Sequence, residues 1–268
     1  MYTAAAFFIL KMFNINLYKE KLSTEFVGQS IKYYPQLDST NTKAWELVSE
    51  NTDNGTVVIT DNQTKGRGRQ SNKWFSVTDK SLTFSVILYP NVQPKQINLY
   101  SLLAGLSITD CLNENYIQAQ LKWPNDVLIN SKKVSGILCE SKITGGLIKS
   151  LVIGIGLNVN ERIAELSKEF RNKATSLMIE SGKEYKLDIL LANILNHLEH
   201  RINNNDTNSQ LLDWEKHCVH LNQTVTFHSS DKIINGIFTG LTPTGQAIIS
   251  KNGEELIFDS GVIENIKD

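Results

Sequence analysis

The chain has 268 residues, 41% of them hydrophobic, enough for one large domain or a large domain with a small appendage around a well-buried core. With 27 basic and 28 acidic side chains and a formal charge of -1, it is not a general polyanion binder, so any phosphate binding must be local. Cys111, Cys139 and Cys218 form no C-x-x-C pair, which argues against a disulfide framework or a zinc site and fits a reducing, cytoplasmic compartment.

The apolar run at residues 4–10 is too short to span a bilayer and lacks a basic flank and cleavage site, so no membrane segment or secretory leader is expected. Ala44, Trp45, Leu47 and Val48 recur at helical spacing and predict a helix over residues 40–51, with Asp38, Ser39 and Thr40 available to cap its start. Gly55 opens the β-branched run 56–60, a buried strand that delivers a basic loop; a second strand covers 82–89. Leu99, Leu102, Leu103 and Leu106 form the apolar face of a helix over 96–113. A short strand at 121–123 ends at Pro124. Residues 127–129 and 134–143 then read as a hairpin about Asn130-Ser131, and Gly145-Gly146 reverses the chain into a strand over 147–160.

Residues 161–173 are charged and predict a mobile segment, a candidate lid. Helices follow at 187–202 and 210–218, separated by a polar turn. Beyond residue 222, short β-runs at 225–227, 233–241, 247–249 and 256–258, with turns at Pro243-Thr244-Gly245 and Asn252-Gly253, predict a small β-barrel. The class is therefore α+β, a mixed β-sheet with packed helices plus a C-terminal barrel. Its expected units are a tail and first strand at 1–34, a catalytic domain at 35–219 and a barrel at 220–268.

The motif richest in chemistry is Gln63-Thr64-Lys65-Gly66-Arg67-Gly68-Arg69-Gln70. Glycines let the main chain approach a ligand closely, and arginines bind phosphate or carboxylate oxygens bidentately. Gly154-Ile155-Gly156 puts two glycines into a strand interior, where they often mark close approach of a ligand or another backbone. A dinucleotide fingerprint is excluded there, because no third glycine follows and no helix opens. Asn125 and Asp126 offer hard oxygens that suit Mg²⁺, although aspartate is also common in plain turns.

These motifs, with Asp38-Ser39-Thr40-Asn41, Lys122-Trp123-Pro124-Asn125-Asp126, Trp74-Phe75-Ser76, Lys133-Val134-Ser135-Gly136-Ile137-Leu138 and Gly154-Ile155-Gly156-Leu157-Asn158, occur in one order and resemble the biotin protein ligases from about residue 35 to 177. The resemblance implies a class II synthetase or biotin–lipoate ligase-like fold with an SH3-like C-terminal barrel. It also implies activation of biotin by Mg·ATP to biotinyl-5′-AMP and transfer to a lysine of a biotin carboxyl carrier domain. Carried across by motif, Arg67, Arg69 and Lys133 are catalytic. Biotin falls to Ser39, Thr40, Asn41, Gln63, Gly66, Arg67, Gly68, Arg69, Lys133, Gly136, Gly154 and Gly156. ATP falls to Arg69, Lys122, Trp123, Asn125 and Asn158, and the metal to Asn125 and Asp126. Spacing to Gly136 selects Lys133 over Lys132.

Some members of that family carry a helix-turn-helix domain ahead of the catalytic part. The residues before Pro35 are too few for one, so no DNA binding is expected; a homodimer is possible. One departure is Ser71, where the family commonly has glycine, so the closed loop differs locally while every charged group remains. The rivals are a lipoate ligase or octanoyltransferase, which shares the fold, and a protein that merely sequesters biotin.

Overall fold

The computed structural model describes residues 13–167, 169, 171–229 and 232–265, so the apolar run at 4–10 lies outside the described residues. In chain order the elements are α1 (Ile15–Lys21), β1 (Ile31–Leu37), α2 (Thr40–Ser49), β2 (Val57–Gln63), β3 (Ser81–Leu88), α3 (Ile97–Glu114), β4 (Gln120–Lys122), β5 (Asp126–Ile129), β6 (Lys132–Thr144) and β7 (Leu147–Asn158). There follow α4 (Leu177–Ser181), α5 (Leu187–Asn203), α6 (Thr207–Lys216), β8 (Thr224–His228), β9 (Ile233–Leu241), β10 (Ala247–Lys251), β11 (Glu254–Phe258) and β12 (Val262–Asn265). Helices α1 and α4 and strand β12 were not legible in the sequence. Strand β1 crosses the boundary drawn between residues 34 and 35.

The large sheet has the order β1-β2-β3-β7-β6-β5-β4, with β1 and β2 parallel and the other pairs antiparallel. It is the mixed sheet of the α+β class. Strands β3 and β7 are central and bury almost every side chain, which explains their unbroken apolar runs.

Period-2 alternation separates the two faces. Val57, Ile59, Phe84, Val86, Ile153 and Ile155 point into the main core with α3 and α5. Val58, Ile87 and Val152 point the other way, beneath Ala44 and Leu47 of α2. Continuing along that second face, β3 presents Ser85 and β7 presents Gly154 and Gly156, so the apolar cover gives way to small and polar positions. The pocket opens there.

The C-terminal unit is a five-stranded antiparallel sheet of order β11-β10-β9-β8-β12, the SH3-like appendage. Phe227 and Phe238 are fully buried in it, and Trp123 joins it to the larger unit. The Trp123 indole is 1% exposed, donates to the Gly245 carbonyl at 3.1 Å and packs 5.9 Å from the Phe227 ring. Among the described residues no helix is long and apolar enough to cross a membrane.

The segment 161–173 is more anchored at its ends than its charge suggests. Glu161 is buried and accepts from the Ser81 hydroxyl, Glu165 pairs with Lys80, and the Lys173 carbonyl accepts the Lys133 amide at 2.8 Å. Burial pushes the Glu161 carboxyl above its usual range, against the Ser81 bond.

Candidate functional site

A pocket of roughly 220 Å³ lies on the α2 face of the sheet, between the loop after β2, the turn between β4 and β5, and the start of β12. Five cations line it, Arg67, Arg69, Lys73, Lys122 and Lys133, with Asp126 as the carboxylate among its lining residues. A chain of net charge -1 thus concentrates positive charge at one place, which suits a polyphosphate and a carboxylate together.

The closed end is polar and buried. Ser39, Thr40 and Asn41 are 3%, 4% and 3% exposed. The capping expected of Ser39 does not occur: it occupies the N-cap position but its hydroxyl makes no cap bond. Instead the Thr40 amide donates to Gln63 Oε1 of the neighbouring strand at 2.8 Å, so a distant side chain serves the helix start. Ser85 Oγ donates to Asn41 Oδ1 at 2.7 Å and lies within hydrogen-bond distance of Thr40 Oγ1 at 2.8 Å. Ser39, released from capping, lines the pocket beside a Thr40 hydroxyl and an Asn41 amide whose orientations are fixed by these bonds.

The floor explains the two strand glycines. A Cβ on Gly154 would stand 2.0 Å from Asn41 Oδ1, and one on Gly156 would stand 2.2 Å from Trp74 Cε2. Either contact is far inside van der Waals range, so the strand must be bare for Asn41 and Trp74 to lie on it. Gly136 does the same beside Lys133 and Trp74, at 3.0 and 3.3 Å.

The basic loop is a small hairpin. Trp74 N donates to the Gly66 carbonyl at 3.0 Å and Gly68 N to the Asn72 carbonyl at 2.8 Å, and a Cβ on Gly66 would meet the Trp74 carbonyl at 2.4 Å. Gln70 and Ser71 at its tip have φ of 52° and 64°, the left-handed region that favours glycine. The departure at Ser71 therefore falls where the backbone most wants glycine.

Each loop arginine is held by the body. Arg67 makes a bidentate pair with Glu140 at 3.0 and 2.9 Å. Arg69 donates to Asn125 Oδ1 at 3.3 Å and reaches the Gly261 carbonyl at 3.5 Å; burial pushes its guanidinium below the ordinary value, opposed by Asp126. Lys133 Nζ lies 2.6 Å from Asp126 Oδ1 and 6.0 Å from the Trp74 ring centre.

Of the expected site residues, Ser39, Thr40, Asn41, Gln63, Arg67, Gly68, Arg69, Lys122, Trp123, Asn125, Asp126, Lys133, Gly136, Gly154 and Gly156 line this pocket. Gly66 lies behind it, in the hairpin. Asn158 is 7% exposed, off the lining, and donates to the Thr175 carbonyl at 2.9 Å. Trp123 turns its indole to the C-terminal sheet, so what it gives the pocket is the shape of its turn.

For a magnesium ion the two expected ligands differ. The Asn125 oxygen faces Arg69 and its amide nitrogen donates to the Ile137 carbonyl at 2.7 Å, so it does not fit. Asp126 has one oxygen paired with Lys133 at 2.6 Å, and its second oxygen is the one that fits a Mg²⁺ held mainly by phosphates. Among the described residues no group of three or more His, Cys, Asp or Glu is placed to hold an ion without substrate.

Sequence reasoning missed Glu140, Ser85 and the Gly261-Val262-Ile263 rim, and used Trp74 only as part of the resemblance. Glu140 had a signal, since Gly136, Leu138 and Glu140 alternate on β6. The rim had none.

Residues 33–158 match the biotin/lipoate A/B protein ligase family and residues 220–264 the biotin protein ligase C-terminal domain. The bifunctional ligase/repressor BirA of Bacillus subtilis is 33% identical over 236 residues, 86% of this chain and 72% of that protein. The biotin protein ligase of Aquifex aeolicus in complex with biotin and ATP superposes with a TM-score of 0.75 at 30% identity, covering 90% of this chain and 100% of that one. The biotin protein ligase of Leishmania major with biotinyl-5-AMP shares the fold, at a TM-score of 0.60 and 20% identity over 90% of this chain and 99% of that one.

Proposed function

This chain belongs to the biotin/lipoate protein ligase family as one of its biotin protein ligases, and from that premise we propose that the cationic pocket is where biotin and ATP meet and that Arg67, Arg69 and Lys133 act on them there. The enzyme is an ATP-dependent ligase that activates biotin and transfers it to protein. The observation that carries the assignment to this pocket is the junction of a buried Ser39-Thr40-Asn41 end with five cations at the mouth.

The ureido ring of biotin offers a carbonyl acceptor and two N–H donors; Ser39, Thr40 and Asn41 supply the complementary groups, and the bare strand at Gly154 and Gly156 admits the ring system. A carboxylate oxygen then attacks the α-phosphorus of ATP, forming an acyl–phosphate bond, breaking the α–β anhydride and releasing pyrophosphate. Both partners are anions, so fixed cations are the main catalytic contribution. Arg67 and Arg69 bind phosphate and carboxylate oxygens, and Lys133, held by Asp126, is placed for the reacting oxygens. Asp126 is the residue that would hold Mg²⁺ beside the phosphates, where the ion would supply neutralisation of their charge.

In the second step an acceptor lysine amine attacks the acyl carbon, forming C–N and breaking C–O as AMP leaves and the amine gives up a proton. A cysteine relay is disfavoured, since burial pushes the thiols of Cys111, Cys139 and Cys218 up to about 12. The acceptor is a biotin carboxyl carrier domain. No DNA partner is proposed, because 27 basic against 28 acidic side chains leave no basic excess.

The test is pyrophosphate release from Mg·ATP with biotin, lipoate or octanoate, using Lys133→Ala as control. Release with biotin alone, reduced at least about a hundredfold in the variant, is expected for loss of a fixed cation at the reacting oxygens. Release with lipoate would move the assignment within the family. Tight biotin binding without release would leave a sequestering protein.

A further inference from the structure

Glu140 sits on β6 with a carboxylate that accepts four hydrogen bonds from two separate elements, the basic loop and α2. Arg67 Nη1 and Nη2 donate to it at 3.0 and 2.9 Å, Asn41 Nδ2 at 2.9 Å and Trp45 Nε1 at 3.3 Å. Its side chain is 27% exposed, so it is no core strut. We propose that Glu140 is a positioning residue that couples closure of the Gly66–Trp74 hairpin to the donor–acceptor polarity of the pocket's closed end; this rests on the biotin-ligase assignment of that pocket.

Two consequences of one carboxylate support the coupling. Asn41 presents a carbonyl on one side and an amino group on the other, and the two orientations offer a ligand opposite hydrogen-bonding character. Glu140 accepts only, so Nδ2 must face it, and Oδ1 is driven toward Ser85 and the bare strand at Gly154. The same carboxylate takes two of the five guanidinium donors of Arg67, leaving the others for substrate and fixing the hairpin against β6. Arg67 and Glu140 are 73 positions apart in the chain, and Asn41 and Glu140 are 99 apart, so this junction ties the loop, α2 and the sheet together. With Glu140 in place, the Asn41 end is oriented when the loop is shut. Without it, the loop arginine and the asparagine lose their common partner and biotin leaves faster.

Glu140→Gln tests this without changing the shape of the site. Its amide places an NH₂ against either Arg67 Nη1 or the cluster of Arg67 Nη2, Asn41 and Trp45, so a donor meets a donor. We expect unchanged melting within a few degrees, biotin dissociation about tenfold faster and biotin KM raised in proportion, with kcat at saturating biotin altered less than threefold, as loss of one charge-assisted bond predicts. Glu140→Asp, which keeps the charge, should restore part of the affinity. Biotin kinetics equal to wild type in Glu140→Gln, or affinity lost only in step with melting temperature, would overturn the proposal. Biotin-dependent pyrophosphate release by the wild type, run alongside, reports on the ligase assignment independently.

Discussion

Adding a single methyl group at Gly154 should disable the closed end of the pocket while leaving every charged residue in place. In Gly154→Ala the new Cβ would stand 2.0 Å from Asn41 Oδ1 and 3.0 Å from Nδ2. Ordinary contact needs more than 3 Å, so Asn41 must retreat by over about 1 Å or the strand must bend. Asn41 is held by Ser85 at 2.7 Å, Glu140 at 2.9 Å and the Leu138 carbonyl at 3.3 Å, and all three bonds stretch if it moves. Two neutral bonds at about 1 kcal/mol each and one charged bond at about 1.5–3 kcal/mol, partly re-formed after adjustment, put the stability cost near 3 kcal/mol. For a chain of this size that lowers Tm by about 6–12 °C. Biotin loses one oriented polar contact, an affinity change of about tenfold.

Differential scanning fluorimetry reads the first quantity and titration calorimetry with biotin the second. A coupling test sharpens the result: Asn41→Ala removes the colliding atom, so the double variant should be more stable than Gly154→Ala alone. Wild-type biotin affinity in Gly154→Ala, or strict additivity of the two substitutions, would refute the argument that the glycine exists to seat Asn41.

Three further expectations follow from other parts of the fold. His220 is fully buried against Phe238 at 4.4 Å, and burial pushes its imidazole down to about 3. Above about pH 6.5 both states are neutral and no effect arises; below it the unfolded chain takes a proton that the folded chain refuses, costing about 2 kcal/mol by pH 5. His220→Phe should therefore narrow the melting gap between pH 7.5 and pH 5, and an unchanged gap would count against the buried neutral ring. Ser71→Gly relieves a φ of 64° and should raise stability by up to about 1 kcal/mol with turnover changed only severalfold; a hundredfold faster turnover would show that serine distorts the closed loop. Trp123→Ala should cost about 3–5 kcal/mol, seen in chemical denaturation, because the indole fills the junction with the C-terminal sheet; a loss confined to ATP affinity would place it in the nucleotide site instead.

Much of the molecule was legible along the chain because its determinants are local. The β-branched run before the basic loop, the leucine spacing of α3 and the glycine pair at 145 and 146 act over a few residues, and the strands, helix and hairpin formed where those patterns put them. The motif residues were legible for a similar reason, since their spacing within each short segment is fixed by the element that carries it. What the chain could not reveal is which side chains meet through space. Ser39 reads as a cap but makes no cap bond, and the side chain that serves the helix start is Gln63 from the adjacent strand, which accepts the Thr40 amide. Asn125 reads as a metal ligand, but packing turns it to Arg69 and Ile137. Trp123 reads as part of a nucleotide turn, yet an apolar indole beside an unfinished core is drawn inward. Gly154 and Gly156 were visible as anomalies, and only the folded sheet supplies Asn41 and Trp74 as the atoms they make room for. Glu140 is the clearest case: an ordinary acid on a strand, it becomes the common partner of Arg67 and Asn41 because sheet register and a long-range ion pair bring together groups that no local spacing relates.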